Sequence, residues 1–230
     1  MYDALTIDQN ETAGRSLAKK GPRARMISNQ RLCRAFDIVI ALAAIVFTAP
    51  LLIMIALGVK LHDGGPVLFG HERLGLGGRA FKCMKFRSMV VDADVRLAAL
   101  LASDPQARVD WARDFKLKRD PRITAFGDFL RKSSLDELPQ LFNVLRGEMS
   151  IVGPRPIVRS EALRYGARFA SYCHVRPGIT GLWQVSGRND TCYRRRVAMD
   201  AIYARNKSLL WDLNILLRTV PAVLLAKGSY

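Results

Sequence analysis

The residues in this chain best suited to chemistry are an adjacent acid pair, Asp136-Glu137, a few positions after Arg131-Lys132 and just before Pro139. Carboxylates beside fixed cations stay ionised, and the same neighbourhood accepts a phosphate and lets a divalent ion bridge acid to diphosphate. The stretch also has a plainer reading. Ser134-x-x-Glu137 fits a capping box, and acids favour a first helical turn, effects worth about 1 kcal/mol each. Pro139 suits a helix that starts nearer Asp136, which leaves neither acid obliged to cap. On residue types alone the two readings stand level. Other chemistries lack their motifs: there is no phosphate-binding G-x-x-x-x-G-K-[ST], no G-x-G-x-x-G before a helix and no G-x-S-x-G. The three histidines are scattered, and the cysteines show neither C-x-x-C spacing nor a neighbouring set of histidines, so a reduced, metal-free set is expected.

Several elements must position that pair. A helix is expected from about Asp136 to Arg146, with Gly147 as its C-cap. Upstream, Pro66–Arg73 and Arg79–Arg87 read as strands joined at Gly75-Leu76-Gly77-Gly78, a small β-hairpin. Residues 92–118 read as helical with an interruption near Asp104-Pro105, and Ile123–Lys132 as a further amphipathic turn or two. Gly153-Pro154-Arg155-Pro156 and Arg176-Pro177-Gly178 read as irregular loops. The last forty residues pair basic side chains with Trp211, Leu213, Ile215, Leu216 and Leu217, a pattern that fits helices lying flat at a lipid interface and, taken without the upstream apolar segment, fits core-facing helices of a soluble domain equally.

The chain has 230 residues, half of them apolar, and a formal charge of +16, which fits an anionic membrane surface or a polyanion and excludes a disordered linker. The segment between Asp37 and Lys60 favours the membrane. Its 22 residues carry no charge, and as a helix they reach about 33 Å, enough to cross a bilayer core. Basic residues crowd both flanks, so the positive-inside rule places both on one side, which a straight span cannot satisfy. Pro50 lies near the middle, where it removes a hydrogen bond, and Thr48 is placed to bond a freed carbonyl. We therefore expect a re-entrant helix over residues 38–59, broken at Pro50, behind a mobile basic arm at 1–30.

Three motifs in order, KCMKFRSM, LRKSSLDELPQLFNVLRGEMSIVGPRP and RPGITGLWQVSGRN, closely resemble the bacterial sugar transferases, monotopic phosphoglycosyl transferases acting on polyprenyl phosphate. The likeness runs from about Arg31 to the end of the chain and is nearest to members that start succinoglycan-type exopolysaccharide with galactose-1-phosphate. It implies an α-rich α+β monotopic membrane protein with a re-entrant helix, interfacial amphipathic helices and an active site at the cytoplasmic face of the bacterial inner membrane. The transferase domain would be residues 31–230. It also implies transfer of hexose-1-phosphate, from UDP-galactose or UDP-glucose, to undecaprenyl phosphate with release of UMP and a need for Mg²⁺. By the same resemblance Asp136 is the nucleophile and Glu137 its partner toward Mg²⁺ or a proton. Arg131, Lys85, Arg87, Arg155, Arg176 and Arg188 are the phosphate or uridine contacts it implies. Two departures stand out: Ala49-Pro50 where the family carries Ser-Pro, and Ser88 where Thr is common. The competing class is a membrane-tethered, non-catalytic binder of nucleic acid or acidic polymer, against which the aromatics are few and not interleaved with the basic runs. Nucleic acid is not an expected partner.

Overall fold

The uncharged run lies within one long helix, α1 (Pro22–Asp63), of a computed structural model that describes residues 22–114, 117, 120–187 and 191–224. The first 21 residues of the expected arm lie outside the described residues, and its last nine open α1. Only 11% of the most apolar window of α1 is buried, whereas the core helix of a soluble protein would be mostly covered. Val46 and Phe47 are 74% and 86% exposed. Ahead of Pro50, Arg34, Asp37 and Ala41 seat against the body of the protein; beyond it, Ile55 and Val59 pack with Phe86 and Leu130, and Asp63 pairs with Arg87.

The break expected at Pro50 is absent: residues 22–63 are helical throughout. Proline forfeits one backbone bond, and a helix held on both sides survives that loss. Thr48 takes a different partner from the one expected. Its hydroxyl donates to the Ala44 carbonyl at 2.7 Å, whereas the carbonyl that Pro50 leaves unpaired belongs to Val46.

The β-hairpin forms as expected, β1 (Leu68–Leu74) antiparallel to β2 (Ala80–Phe86), with Gly77 and Gly78 at positive φ in the turn that closes it. Two helices follow, α2 (Ala93–Ser103) and α3 (Pro105–Asp114), parted at Asp104. The short helix α4 (Ala125–Lys132) is capped by Thr124, whose side chain accepts from the Gly127 amide. The helix α5 (Gln140–Arg146) ends, as read, at Gly147 in the left-handed region, and it begins later than expected. Residues 135–137 instead form a single 3-10 turn. Pro139 explains the delay, because it has no N–H to give an α-helical bond to Leu135. The carbonyls at the end of α5 are met by Arg34 of α1, at 2.7 Å and 3.1 Å.

Both loops read as irregular flank a second, parallel sheet, β3 (Ser150–Val152) beside β4 (Gly178–Thr180). Between these strands run α6 (Arg159–Tyr165) and α7 (Phe169–Cys173), and the chain closes with α8 (Tyr193–Asn206) and α9 (Leu209–Leu224). On α9, Asp212 and Ile215 face inward, while Leu210, Leu213, Leu217 and Val220 form an exposed stripe at helical spacing. A helix that points apolar residues outward on one face is built to meet lipid.

Asp200 of α8 is 1% exposed and accepts from the Tyr165 hydroxyl at 2.8 Å. Burial pushes its carboxyl up to about 7, offset only in part by Tyr165 and Arg155. Between the ordinary carboxylate range and about 7, the folded protein therefore holds a proton that the unfolded chain has lost. Stability from this group falls as pH rises through that window and stays reduced above it. Asp200→Asn keeps an acceptor for Tyr165 and removes the charge. Its Tm advantage over the parent is expected to widen from pH 4 to pH 7, reaching roughly 5 °C or more, and then to level off. An offset that is the same at every pH would sink this account.

Candidate active site

The acid pair is shaped by strain before it and a proline after it. Ser134 has φ 58, the one positive φ at a non-glycine among the described residues. Its side chain makes no capping bond, so the capping-box reading does not hold. A left-handed serine costs about 1 kcal/mol or more and marks a backbone held by its surroundings. The turn it starts buries Asp136 to 7% exposure and leaves Glu137 half-buried at the wall of a cleft.

Strand β2 supplies the cation. Residues two apart on a strand share a face, so Cys83 and Lys85 point the same way, and the register sets His71 opposite Cys83 with Arg73 two residues further along β1. That face looks at the acid pair. The Lys85 ammonium donates to Glu137 Oε1 at 2.5 Å and lies 3.6 Å from Asp136 Oδ2. The two carboxyls are driven apart in acidity. Burial raises Asp136 above the ordinary carboxylate range, and the attraction of Lys85 does not cancel it. Burial also pushes on Glu137, but Lys85 and Arg155 outweigh it and hold that carboxyl low. Neighbouring acids with divergent acidities are a common signature of assigned chemical roles.

A second pair of cations comes from an unusual join. Leu74, at the end of β1, donates to the Ile157 carbonyl at 2.8 Å, and the buried Tyr172 hydroxyl donates to the Leu74 carbonyl at 2.7 Å. The same hydroxyl accepts from the Ile157 amide at 3.4 Å. This joint draws the Gly153–Pro156 segment alongside β1, so Arg155 and Arg73 line one cleft with Lys85 and Glu137. Burial, and then Arg155 itself, lowers the pKa of Arg73; two guanidinium groups so placed call for an anion between them. The cleft is open to solvent on one side and is completed by Cys83, Gln140, Pro156, Gly178, Ile179 and Gln184.

Of the residues picked out by sequence, Asp136, Glu137, Lys85 and Arg155 come together here. Arg131 lies exposed in the last turn of α4, near enough to lower Asp136 electrostatically. Arg87 is engaged with Asp63 at the foot of α1, away from the dyad, and a Cβ on Gly65 would strike its guanidinium. Arg176 donates to the Gly147 carbonyl at 2.7 Å and so braces the end of α5. Arg188 lies outside the described residues. Arg73, Asn143 and Gln184 escaped the sequence reading. For Arg73 the signal available was strand alternation, two residues from the partner of Cys83.

What the arrangement can do is bind an oxidised-phosphorus group. Lys85, Arg73 and Arg155 line a partly enclosed cleft with the pinned Glu137, and the desolvated Asp136 lies 3.6 Å from the Lys85 ammonium. The comparisons agree with that chemistry. The family model for bacterial sugar transferases matches residues 28–226. The chain is 52% identical over 203 residues to a UDP-galactose-lipid carrier transferase of Erwinia amylovora, covering 88% of this chain and 42% of that protein. It is 49% identical over 197 residues to the exopolysaccharide production protein ExoY of Rhizobium meliloti, covering 86% of this chain and 87% of that one. It is also 41% identical over 223 residues to a UDP-glucose:undecaprenyl-phosphate glucose-1-phosphate transferase of Caulobacter vibrioides, covering 94% and 78%. The chain thus spans well under half the length of the Erwinia relative and most of the other two. It belongs to the bacterial sugar transferase family.

Proposed function

We propose that this protein transfers hexose-1-phosphate from a UDP-hexose, galactose before glucose, to undecaprenyl phosphate, releasing UMP at the first membrane step of exopolysaccharide synthesis. The observation that carries the reading is the buried Asp136, 3.6 Å from a Lys85 that pairs with Glu137 at the wall of a cleft also lined by Arg73 and Arg155. An Asp136 oxygen attacks the phosphorus that bears the hexose, and the bond from that phosphorus to the UMP oxygen breaks, leaving a phosphosugar on Asp136. The lipid phosphate then attacks the same phosphorus and frees the carboxylate. Splitting the transfer spares the site from holding two bulky substrates at once. Phosphoryl transfer rewards positioning and charge neutralisation, which Lys85, Arg73 and Arg155 supply.

Mg²⁺ takes one or two carboxylates with water and substrate phosphate oxygens, and Asp136 and Glu137 fit that donor set. When bound, the ion neutralises diphosphate charge. Lys85 is the residue that meets both carboxylates without it, so its ammonium must yield or share Glu137 as substrate binds. The exposed faces of α1 and α9 support seating at a lipid surface. Basic residues on both flanks of the apolar run add attraction to anionic headgroups.

Purified protein in nanodiscs with undecaprenyl phosphate, Mg²⁺ and a panel of UDP-sugars tests the reading by UMP release, with and without EDTA. Release with UDP-galactose, lost when EDTA removes the metal, is expected. Silence across the panel from folded protein overturns the reaction, and release only with a UDP-N-acetyl sugar overturns the hexose assignment.

A further inference from the structure

Resting on the function proposed above, we propose that Gln184 reads a hydroxyl of the donor hexose and sets which sugar is accepted. Gln184 lines the same cleft as Glu137, Lys85 and Arg155. Its amide Nε2 donates to the Ile179 carbonyl at 3.2 Å, which fixes the other end of the amide as the oxygen. That Oε1 is buried and has no hydrogen-bond partner among the described residues. Buried polar atoms are nearly always paired, so an orphaned acceptor facing a cleft is suited to a ligand's donor.

The backbone under Gln184 is stiff. A turn runs from the Gly181 carbonyl to the Val185 amide, and Trp183 beside it is buried under the Arg196 guanidinium at 4.7 Å. A Cβ on Gly181 would come within 2.3 Å of the Gly153 carbonyl and 3.0 Å of Gln184 Oε1, so the glycine lets the amide sit against β3. Among neighbours rich in cations, this amide oxygen is a buried neutral acceptor still without a partner. Phosphate oxygens are acceptors themselves and cannot satisfy it. The donors on a UDP-hexose are the hexose and ribose hydroxyls and the uracil imide. Glu137 and Lys85 line the same cleft, and the hexose is the part of the donor bonded directly to the phosphate that is attacked. A site built to bond a substrate hydroxyl discriminates sharply against donors that lack it, since the buried acceptor is then left unpaired.

The test is a cycle of kcat/KM for UMP release by wild type and Gln184→Met, using UDP-galactose and its 2-, 3-, 4- and 6-deoxy analogues. One deoxy donor is expected to lose about tenfold with wild type and nothing further with the variant, the mark of a direct contact. UMP inhibition is expected to be unchanged in Gln184→Met, a readout that general disruption of the cleft would move. Gln184→Ala runs the same cycle should the Met variant melt early. Losses that multiply for all four analogues overturn the proposal. Weakened UMP inhibition matching the loss in kcat/KM overturns it too, because the amide then reads uridine. No turnover of intact UDP-galactose or UDP-glucose by wild type refutes the underlying reaction instead, and the assignment of Gln184 falls with it.

Discussion

Asp136→Asn is expected to lower UMP release by at least about 10³-fold, the scale on which removing a covalent nucleophile acts, while leaving the protein as stable as its parent or more so. The second half of that expectation comes from the same burial that makes the residue useful. Burial raises the Asp136 carboxyl despite Lys85 at 3.6 Å, so at neutral pH the folded state bears the charge at a cost relative to the unfolded chain. The neutral amide removes that cost. Lys85 keeps its shorter bond to Glu137, at 2.5 Å. Function and stability thus pull in opposite directions at one atom, as at many sites that hold a desolvated charge for chemistry. Two measurements settle it together: intact mass after incubation with UDP-galactose, where the parent gains a phosphohexose and the variant none, and a thermal melt. A variant that still gains the adduct removes Asp136 from the nucleophile's role. One that loses both activity and several degrees of Tm shows that the carboxylate holds the fold, contrary to its raised pKa.

What could be read from the sequence, and what could not, follows from the range of the interactions involved. The hairpin, the C-cap at Gly147 and the acid pair are set by residues a few positions apart, and their chemistry is written locally. The apolar run is equally plain in composition, but its path is not. Proline gave a reason to break the helix, and the helix held because residues on both sides of Pro50 have partners in the body of the protein. Strands β3 and β4 are three residues each, too short to show alternation, and each is flanked by prolines that argue for loops. Arg73 and Arg155 are brought together by the Leu74–Ile157 joint and the Tyr172 hydroxyl, and nothing at either position announces the other. Arg87 and Arg176 belong to basic motifs that invite a phosphate. In the fold, Arg87 bonds Asp63 and Arg176 bonds the end of α5, which steadies the two ends of the frame around the dyad.

The placing of Lys85 opposite the dyad depends on one side chain that lies outside the cleft altogether. Asn143 in α5 is fully buried. Its Oδ1 accepts from the Met84 amide at 2.9 Å, and its Nδ2 donates to the Lys82 carbonyl at 2.8 Å and to Glu148 at 2.6 Å. The amide therefore does for the free edge of β2 what another strand would do, and it fixes the distance between the strand carrying Lys85 and the helix that follows the acid pair. Asn143→Leu matches the volume and supplies none of these bonds. It leaves an N–H, a carbonyl and a carboxylate short of partners, each worth about 1–3 kcal/mol when buried, for a loss of roughly 3–5 kcal/mol in all. In a chain of this length that is a fall in Tm of roughly 10 °C. Turnover should fall further than unfolding explains when assayed well below the melt, because Lys85 sits next to Met84 and its ammonium must stay within reach of both carboxylates. A thermal melt and UMP release at low temperature check the two halves separately. A variant that melts within a degree or two of the parent would show that β2 keeps its place by the hairpin and the core alone, and the role of the amide in aligning the site would then be lost.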